Sequence, residues 1–324
     1  MKKRCLGSGF LAAWLSAGVL FAQQTPVYRS DVNLVRVIAT VKNHAGEVVG
    51  VLQKTDFEVF DNGVRQDIAH FERQTEQPLS IALLLDVSGS TAKDLKYEID
   101  SATKFLRALL AEGNPEDAVA LYTFNYAVTL QQSFTHNYRA LENKFKGLRG
   151  EAGTALFDAI YYAGQELESR EGRKVIVVVT DGGDTTHSML DDALREAQLA
   201  DAVIYPVVVV PITNDAGRNI GGEHTLQFMA ERTGGKPFFP TLGAQLDKAF
   251  ADIITELRTQ YLLGFYPHNV PLTKNRYHTL EVRVKAADLR VSARNGYYGE
   301  AEGAGTSDAR TTVTPDGRKK RPDK

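Results

Sequence analysis

The stretch "LSIALLLDVSGST", residues 79–91, decides how the chain is read. An apolar run stops at Asp86 and turns small and hydroxylated. Continuous apolarity, without alternation between core and solvent, is the mark of a strand buried on both faces, as in a parallel sheet. The end of that strand packs three oxygen donors, Asp86, Ser88 and Ser90, into five positions. Two readings are open at this point. Either the serines cap the next helix, or the oxygens line a metal site.

Downstream, the pattern repeats. "AKDLKYEIDSATKFLRALL" places Leu95, Ile99, Leu106 and Leu109 on one helical stripe. "AVALYTFN" and "VTLQQSF" read as two strands joined tightly through Tyr126-Ala127, hence antiparallel. "TALFDAIYYAGQELES" is helical, and "KVIVVVTD" is a second apolar strand ending in a carboxylate, Asp181. "MLDDALREAQLAD" is a helix, "VIYPVVVV" a strand, "HTLQFMAERTGG" a helix ended by glycines, "KPFF" a short strand, and "LGAQLDKAFADIITELRTQY" a long amphipathic helix. Apolar strands separated by helices predict an α/β fold, a doubly wound and mainly parallel sheet, over residues 78–262.

The flanks have a different texture. In residues 28–74, "VNLVRVIATVK", "DFEVF" and "VRQDIAHF" read as a strand meander, with a hairpin at Asp61-Asn62-Gly63. In residues 263–299, Leu280, Val282 and Val284 alternate with Glu281, Arg283 and Lys285, and "LRVSARNGYYG" follows as another strand. Neither flank has enough strands to bury a face alone. The expectation is one small β-sandwich-like domain made from both, with the α/β domain inserted between them. Residues 300–324 lack apolar periodicity and read as a disordered tail. Their "GRKKR" run is either a tether to an anionic surface or a solvated end.

The 324-residue chain is 43% hydrophobic with a formal net charge of −2. Nothing in that balance calls for a nucleic-acid partner, whose phosphates attract a basic face. Residues 1–22 combine a basic start, an apolar stretch of roughly 15 residues and a small residue before a polar run, the layout of a cleavable signal peptide. An uncleaved anchor is the other reading, although a membrane span needs about 20 apolar residues. The expectation is a secreted or periplasmic protein whose mature chain has no transmembrane span. Its one cysteine, Cys5, lies inside the signal, so no disulfide or cysteine-based zinc site is expected.

In doubly wound sheets, ligands bind beyond the carboxyl ends of strands where the strand order reverses. Asp86 and Asp181 both sit at that edge, and the loop "GEAGTALFDAI" brings Thr154 to a helix start. Two carboxylates and three hydroxyls, Asp86, Ser88, Ser90, Thr154 and Asp181, form a hard oxygen set suited to Mg2+ or Mn2+. Without a cation, the neighbouring carboxylates repel and one tends to hold a proton. Asp158, one turn after Thr154, reads as an outer acceptor or a solvent-facing helix carboxylate. Asp184 in "DGGDTT" either approaches the ion or caps the helix beginning near Ser188. His187 with Ser88 and Asp181 suggests a nucleophilic set, but no G-x-S-x-G elbow accompanies them.

D-x-S-x-S as "DVSGS", threonine in "GTALFDA" and aspartate in "TDG", in that order and each at an element's end, resemble the metal-ion-dependent adhesion site of von Willebrand factor type A domains. The resemblance implies that Asp86, Ser88, Ser90 and Thr154 line the ion and that Asp181 acts through water. It also implies a binding module, not an enzyme, that engages an aspartate or glutamate of a protein partner. "TNDAGRNIGGE", residues 213–223, is then a rim that adds selectivity. Alternatives are a hydrolase using metal-bound water or a structural domain without a working metal site. The flanks "VKNHAGEVVGVLQKTDFEVFDNGVRQDIAHFE" and "QYLLGFYP…YHTLEVRVK…ARNGYYG" resemble a group of related proteins abundant in Acidobacteria, which implies an exported bacterial protein.

Overall fold

The computed structural model describes residues 34–73, 77–186, 188–210, 219–271 and 276–299. The signal-peptide region 1–22, the tail 300–324, His187 and residues 213–218 of the expected rim lie outside them. Along the chain, β1 (Val35–Lys42), β2 (Phe57–Asp61), β3 (Val64–Gln66) and β4 (Ile68–Arg73) precede β5 (Leu79–Asp86). Then come α1 (Leu95–Leu110), β6 (Ala118–Phe124), β7 (Val128–Thr135), α2 (Tyr138–Lys144), α3 (Leu156–Glu168), β8 (Arg173–Thr180), α4 (Leu190–Leu199), β9 (Ala202–Val208), α5 (Ile220–Thr233) and α6 (Ala244–Thr259). The last strands are β10 (Tyr261–Phe265), β11 (Tyr277–Val284), β12 (Arg290–Ala293) and β13 (Gly296–Tyr298).

Among the described residues the central sheet has five strands in the order β7-β6-β5-β8-β9. β5, β6, β8 and β9 run parallel, and only β7 is antiparallel, on β6. The chain leaves β5 for β6 on one side and later crosses to β8 on the other, so the order reverses at β5. Every residue of β5 is buried. One face of the sheet packs Leu83 and Val177 against Phe105 of α1 and Phe250 of α6. The other packs Leu84 and Val178 against Leu156 of α3, Leu194 of α4 and Leu226 of α5. This is the doubly wound architecture that the apolar runs predict. "KPFF" makes only an isolated bridge, Val207 with Phe238, instead of a strand. None of the helices described is long and apolar enough to cross a membrane.

The flanks form two four-stranded antiparallel sheets, β12-β1-β10-β4 and β13-β11-β2-β3. Each sheet takes strands from both sides of the α/β segment. Val37, Val59, Phe265 and Leu280 meet in the core between them. The N-terminal strands are therefore not a meander: β1 pairs with β10 and β12, whereas β2 pairs with β11 and β3. "VRQDIAHF" breaks at Asp67, and its halves join different sheets. The Asn62-Gly63 turn does close the β2–β3 hairpin, both residues having positive φ (47° and 80°). β10 straddles the expected boundary at 262, so the α/β part ends with α6.

Candidate metal centre

β5 and β8 are neighbours in register, Leu85 beside Val179, which sets Asp86 next to Thr180 at the carboxyl edge. Asp86 is fully buried. Its Oδ1 accepts from the Ser88 backbone N–H (2.8 Å) and its Oδ2 from Thr180 Oγ1 (2.6 Å). The turn after Asp86 is locked by Thr91, whose Oγ1 donates to the carbonyls of Asp86 (3.2 Å) and Ser88 (3.0 Å). Ser88 Oγ lies 3.0 Å from Ser90 Oγ, and Ser90 Oγ donates to Asp181 Oδ1 at 3.0 Å. Asp86, Ser88, Ser90 and Asp181 thus form one hydrogen-bonded line, joined first through the Ser88 backbone N–H and then through the serine hydroxyls, which starts at a buried carboxylate and includes the exposed Ser90.

The loop that carries Thr154 meets the turn after β5 at Glu151. Glu151 bridges Ser88, and its N–H donates to the Val87 carbonyl (2.9 Å). Gly153 has φ +89°, and a Cβ there would stand 2.8 Å from the Cβ of Tyr126, so only glycine fits the approach. Thr154 itself is held through its backbone: its N–H donates to Thr185 Oγ1 (2.8 Å), and its carbonyl accepts from the Thr185 N–H (2.9 Å). The loop after Asp181 is seated just as closely, because a Cβ on Gly222 of α5 would lie 2.5 Å from the Gly183 nitrogen.

Asp184 caps a helix, but a different one from that expected near Ser188. Its Oδ2 accepts from the Phe157 N–H at the start of α3 (2.9 Å), while Oδ1 accepts from the N–H and hydroxyl of Thr186 (both 2.7 Å). A carboxylate there satisfies a free helix N–H. Asp158 Oδ1 accepts from Ser188 Oγ at 2.5 Å. Both aspartates tie the Thr154 loop to the Asp181 loop.

Burial is the main electrostatic strain. It pushes the Asp86 carboxyl up from its ordinary 3.8 to about 6, opposed by the bonds from Thr180 and Ser88, with repulsion from Asp181 a minor part. Asp181 is also raised, again mainly by burial. The repulsion expected from sequence is thus smaller than desolvation. Glu98, which sequence reasoning passed over, is 1% exposed and neither carboxyl oxygen has a hydrogen-bond partner. Burial first, then the charges of Asp86, Asp181 and Asp94, raise it to about 9. Its signal was present: Leu95, Glu98, Ala102 and Phe105 fall at helical spacing on the buried side of α1.

The residues suit a hard divalent cation. The donors are carboxylate and hydroxyl oxygens, and a buried carboxyl without a partner stands within electrostatic reach. Among the described residues no three His, Cys, Asp or Glu side chains are grouped to hold a metal, so an ion here depends on the hydroxyls.

The von Willebrand factor type A domain model matches residues 81–183, from β5 to just past Asp181. No curated protein matches the chain. Among solved structures, the vWF domain of the type V pili tip protein Mfa5 from Porphyromonas gingivalis is 15% identical, with TM-score 0.44, over 55% of this chain and 94% of that one. The PilB minor pilin from Streptococcus sanguinis is 14% identical, with TM-score 0.45, over 57% of this chain; the match spans only 62% of PilB. Proximal thread matrix protein 1 from the mussel byssus is 14% identical, with TM-score 0.47, over 68% of this chain and 50% of that one. What the chain shares with known proteins is a match to the von Willebrand factor type A domain over residues 81–183.

Proposed function

We propose that this chain is an exported bacterial binding module, an adhesion or scaffold protein and not an enzyme, that engages a partner's carboxylate through Mg2+ or Mn2+. One observation carries the reading: the hydrogen-bonded line Asp86–Ser88–Ser90–Asp181 lies at the reversal point of the sheet and opens to solvent at Ser90. Asp86, Ser88, Ser90 and Thr154 would hold the ion, with Asp181 beside it through Ser90. When bound, the ion supplies a Lewis-acidic position open to one further anionic oxygen. Neutral hydroxyls fill the set without cancelling that positive character.

A carboxylate binds such an ion well only where neighbouring contacts exclude water. Two apolar side chains support that role. Tyr126, whose backbone packs against Gly153, is 68% exposed, and Ile220, which follows the Asn219 that meets the Gly182-Gly183 turn, is 59% exposed. Both sit on segments that pack against the Thr154 and Asp181 loops, and exposed large apolar groups are characteristic of protein-binding faces. A hydrolase would need a general base in the same loops. Asp158 and Asp184 are engaged in holding those loops together, and Glu151 of the Thr154 loop is an exposed carboxylate that accepts from Asn125 Nδ2 (3.3 Å). Export and the affinity of the flanks with the group abundant in Acidobacteria belong to this proposal and rest on the residues quoted from both ends.

Partner capture from the native envelope tests the reading. Binding is expected to fall at least about tenfold, roughly the 1.4 kcal/mol of one modest contact, with EDTA and with Thr154→Ala. Unchanged capture in EDTA would sink it.

A further inference from the structure

The opposite edge of the central sheet holds a cavity of about 540 Å³. Pro78 before β5, Gly172 before β8 and Ala202 of β9 line its α/β side, while Ile38 of β1 and Gln260 close it from the sandwich. Five cationic side chains, Arg36, Arg170, Arg173, Lys174 and Arg294, share this lining with only two carboxylates, Glu171 and Asp201. The chain as a whole is slightly acidic, so this concentration of positive charge is local.

Three of these cations, Arg36, Arg170 and Lys174, make their hydrogen bonds to neutral groups. Arg294 is paired with Asp201. Arg36 donates to neutral Gln77 Oε1 (2.9 Å), Arg170 to Ser80 Oγ (3.0 Å) and Lys174 to the Glu168 carbonyl (2.9 Å). Arg173 donates to the Leu257 carbonyl and Gln260 Oε1. Two further donors on the lining, Arg294 Nε and Gln198 Nε2, are buried with no acceptor. A buried donor without an acceptor costs about 1–3 kcal/mol, which folded proteins rarely leave standing. Burial also holds Lys174 below its ordinary value, with Arg36 adding to the effect, and lowers Arg173 to about 10. An anion in the cavity relieves the cost of the positive charge held at Lys174 beside Arg36.

We propose that this cavity binds a small oxyanion carrying two or more negative charges, a phosphate compound or a polycarboxylate. Arg36 and Lys174, whose hydrogen bonds go to neutral acceptors, balance its charge. The volume suits a small-molecule ligand. Because β8, β9, β1 and the segment after β12 all contribute, the bound anion ties the α/β part to the sandwich. The site is independent of the cation site and of the function proposed for it.

Calorimetric titration of the full chain with pyrophosphate and with citrate, at fixed ionic strength and without divalent cations, tests this. Saturable binding tighter than about 1 mM is expected for at least one of them, and none for chloride. The variant Arg36→Gln/Lys174→Gln removes charge without touching the buried core, and is expected to weaken that binding at least about tenfold while keeping the wild-type melting temperature within a few degrees. Pyrophosphate binding alone assigns phosphate chemistry, and citrate alone assigns carboxylate. No saturable binding of either, or equal binding by the double variant, overturns the site.

Discussion

Replacing Glu98 with glutamine is expected to stabilise the cation-free protein by on the order of 2–4 kcal/mol near pH 8 and by almost nothing near pH 4. The sign follows from the raised carboxyl. In the unfolded chain Glu98 loses its proton around its ordinary value of 4.5, while in the fold it keeps the proton to about 9. The folded state therefore binds more protons across that window, and the stability tied to this group falls as pH rises through it. Glutamine has no proton to hold and escapes the loss. Asp86 acts in the same direction over a narrower window, from 3.8 to about 6. Urea unfolding of both proteins between about pH 4 and pH 8.5 checks the slope. A gain that does not change with pH would mean that Glu98 is not buried as a strained carboxyl. With Mg2+ present the difference is expected to shrink, because a cation near Asp86 and Asp181 favours the ionised glutamate.

Arg173→Leu is expected to cost about 2–4 kcal/mol and to loosen the sandwich from the α/β part. Arg173 is 4% exposed at the start of β8 and donates to the Leu257 carbonyl and to Gln260 Oε1, at the passage from α6 to β10. Gln260 Nε2 in turn reaches Thr40 Oγ1 of β1 and Tyr205 OH of β9, both at 2.9 Å. Leucine fills part of the volume but leaves buried acceptors unmet on both sides of the junction. Calorimetry is expected to show a lower and broader transition. A single transition at the wild-type temperature would show that the bridge contributes little.

The α/β part was readable because its signals are local. The unbroken apolar run of β5 can only be a doubly buried strand, and the two strand-end aspartates fall at one edge whatever the loop lengths. The Asn62-Gly63 hairpin was equally plain, since both residues must adopt positive φ. The sandwich was only half legible. β1 pairs with β10 across more than two hundred residues, and no local pattern distinguishes that partner from β2. Glu98 was hidden for a related reason. A charged residue in an amphipathic helix is ordinarily read as solvent-facing, and only the packing of α1 shows that this one is enclosed. For Asp184 the sequence offers either an approach to the ion or a cap on the helix near Ser188, whereas the fold brings the start of α3 to it, a contact no local pattern reveals.

The cation site is tested most directly by thermal and chemical unfolding in Mg2+ or Mn2+, comparing the wild type with Asp86→Ala. A ligand that binds only the folded state stabilises it by mass action, about 2.7 kcal/mol at a hundred times Kd. That stabilisation is expected in the wild type and lost in Asp86→Ala, which removes the one fully buried carboxylate of the line. No shift in the wild type at millimolar metal, or the same shift in both proteins, would contradict a cation held by Asp86, Ser88, Ser90, Thr154 and Asp181.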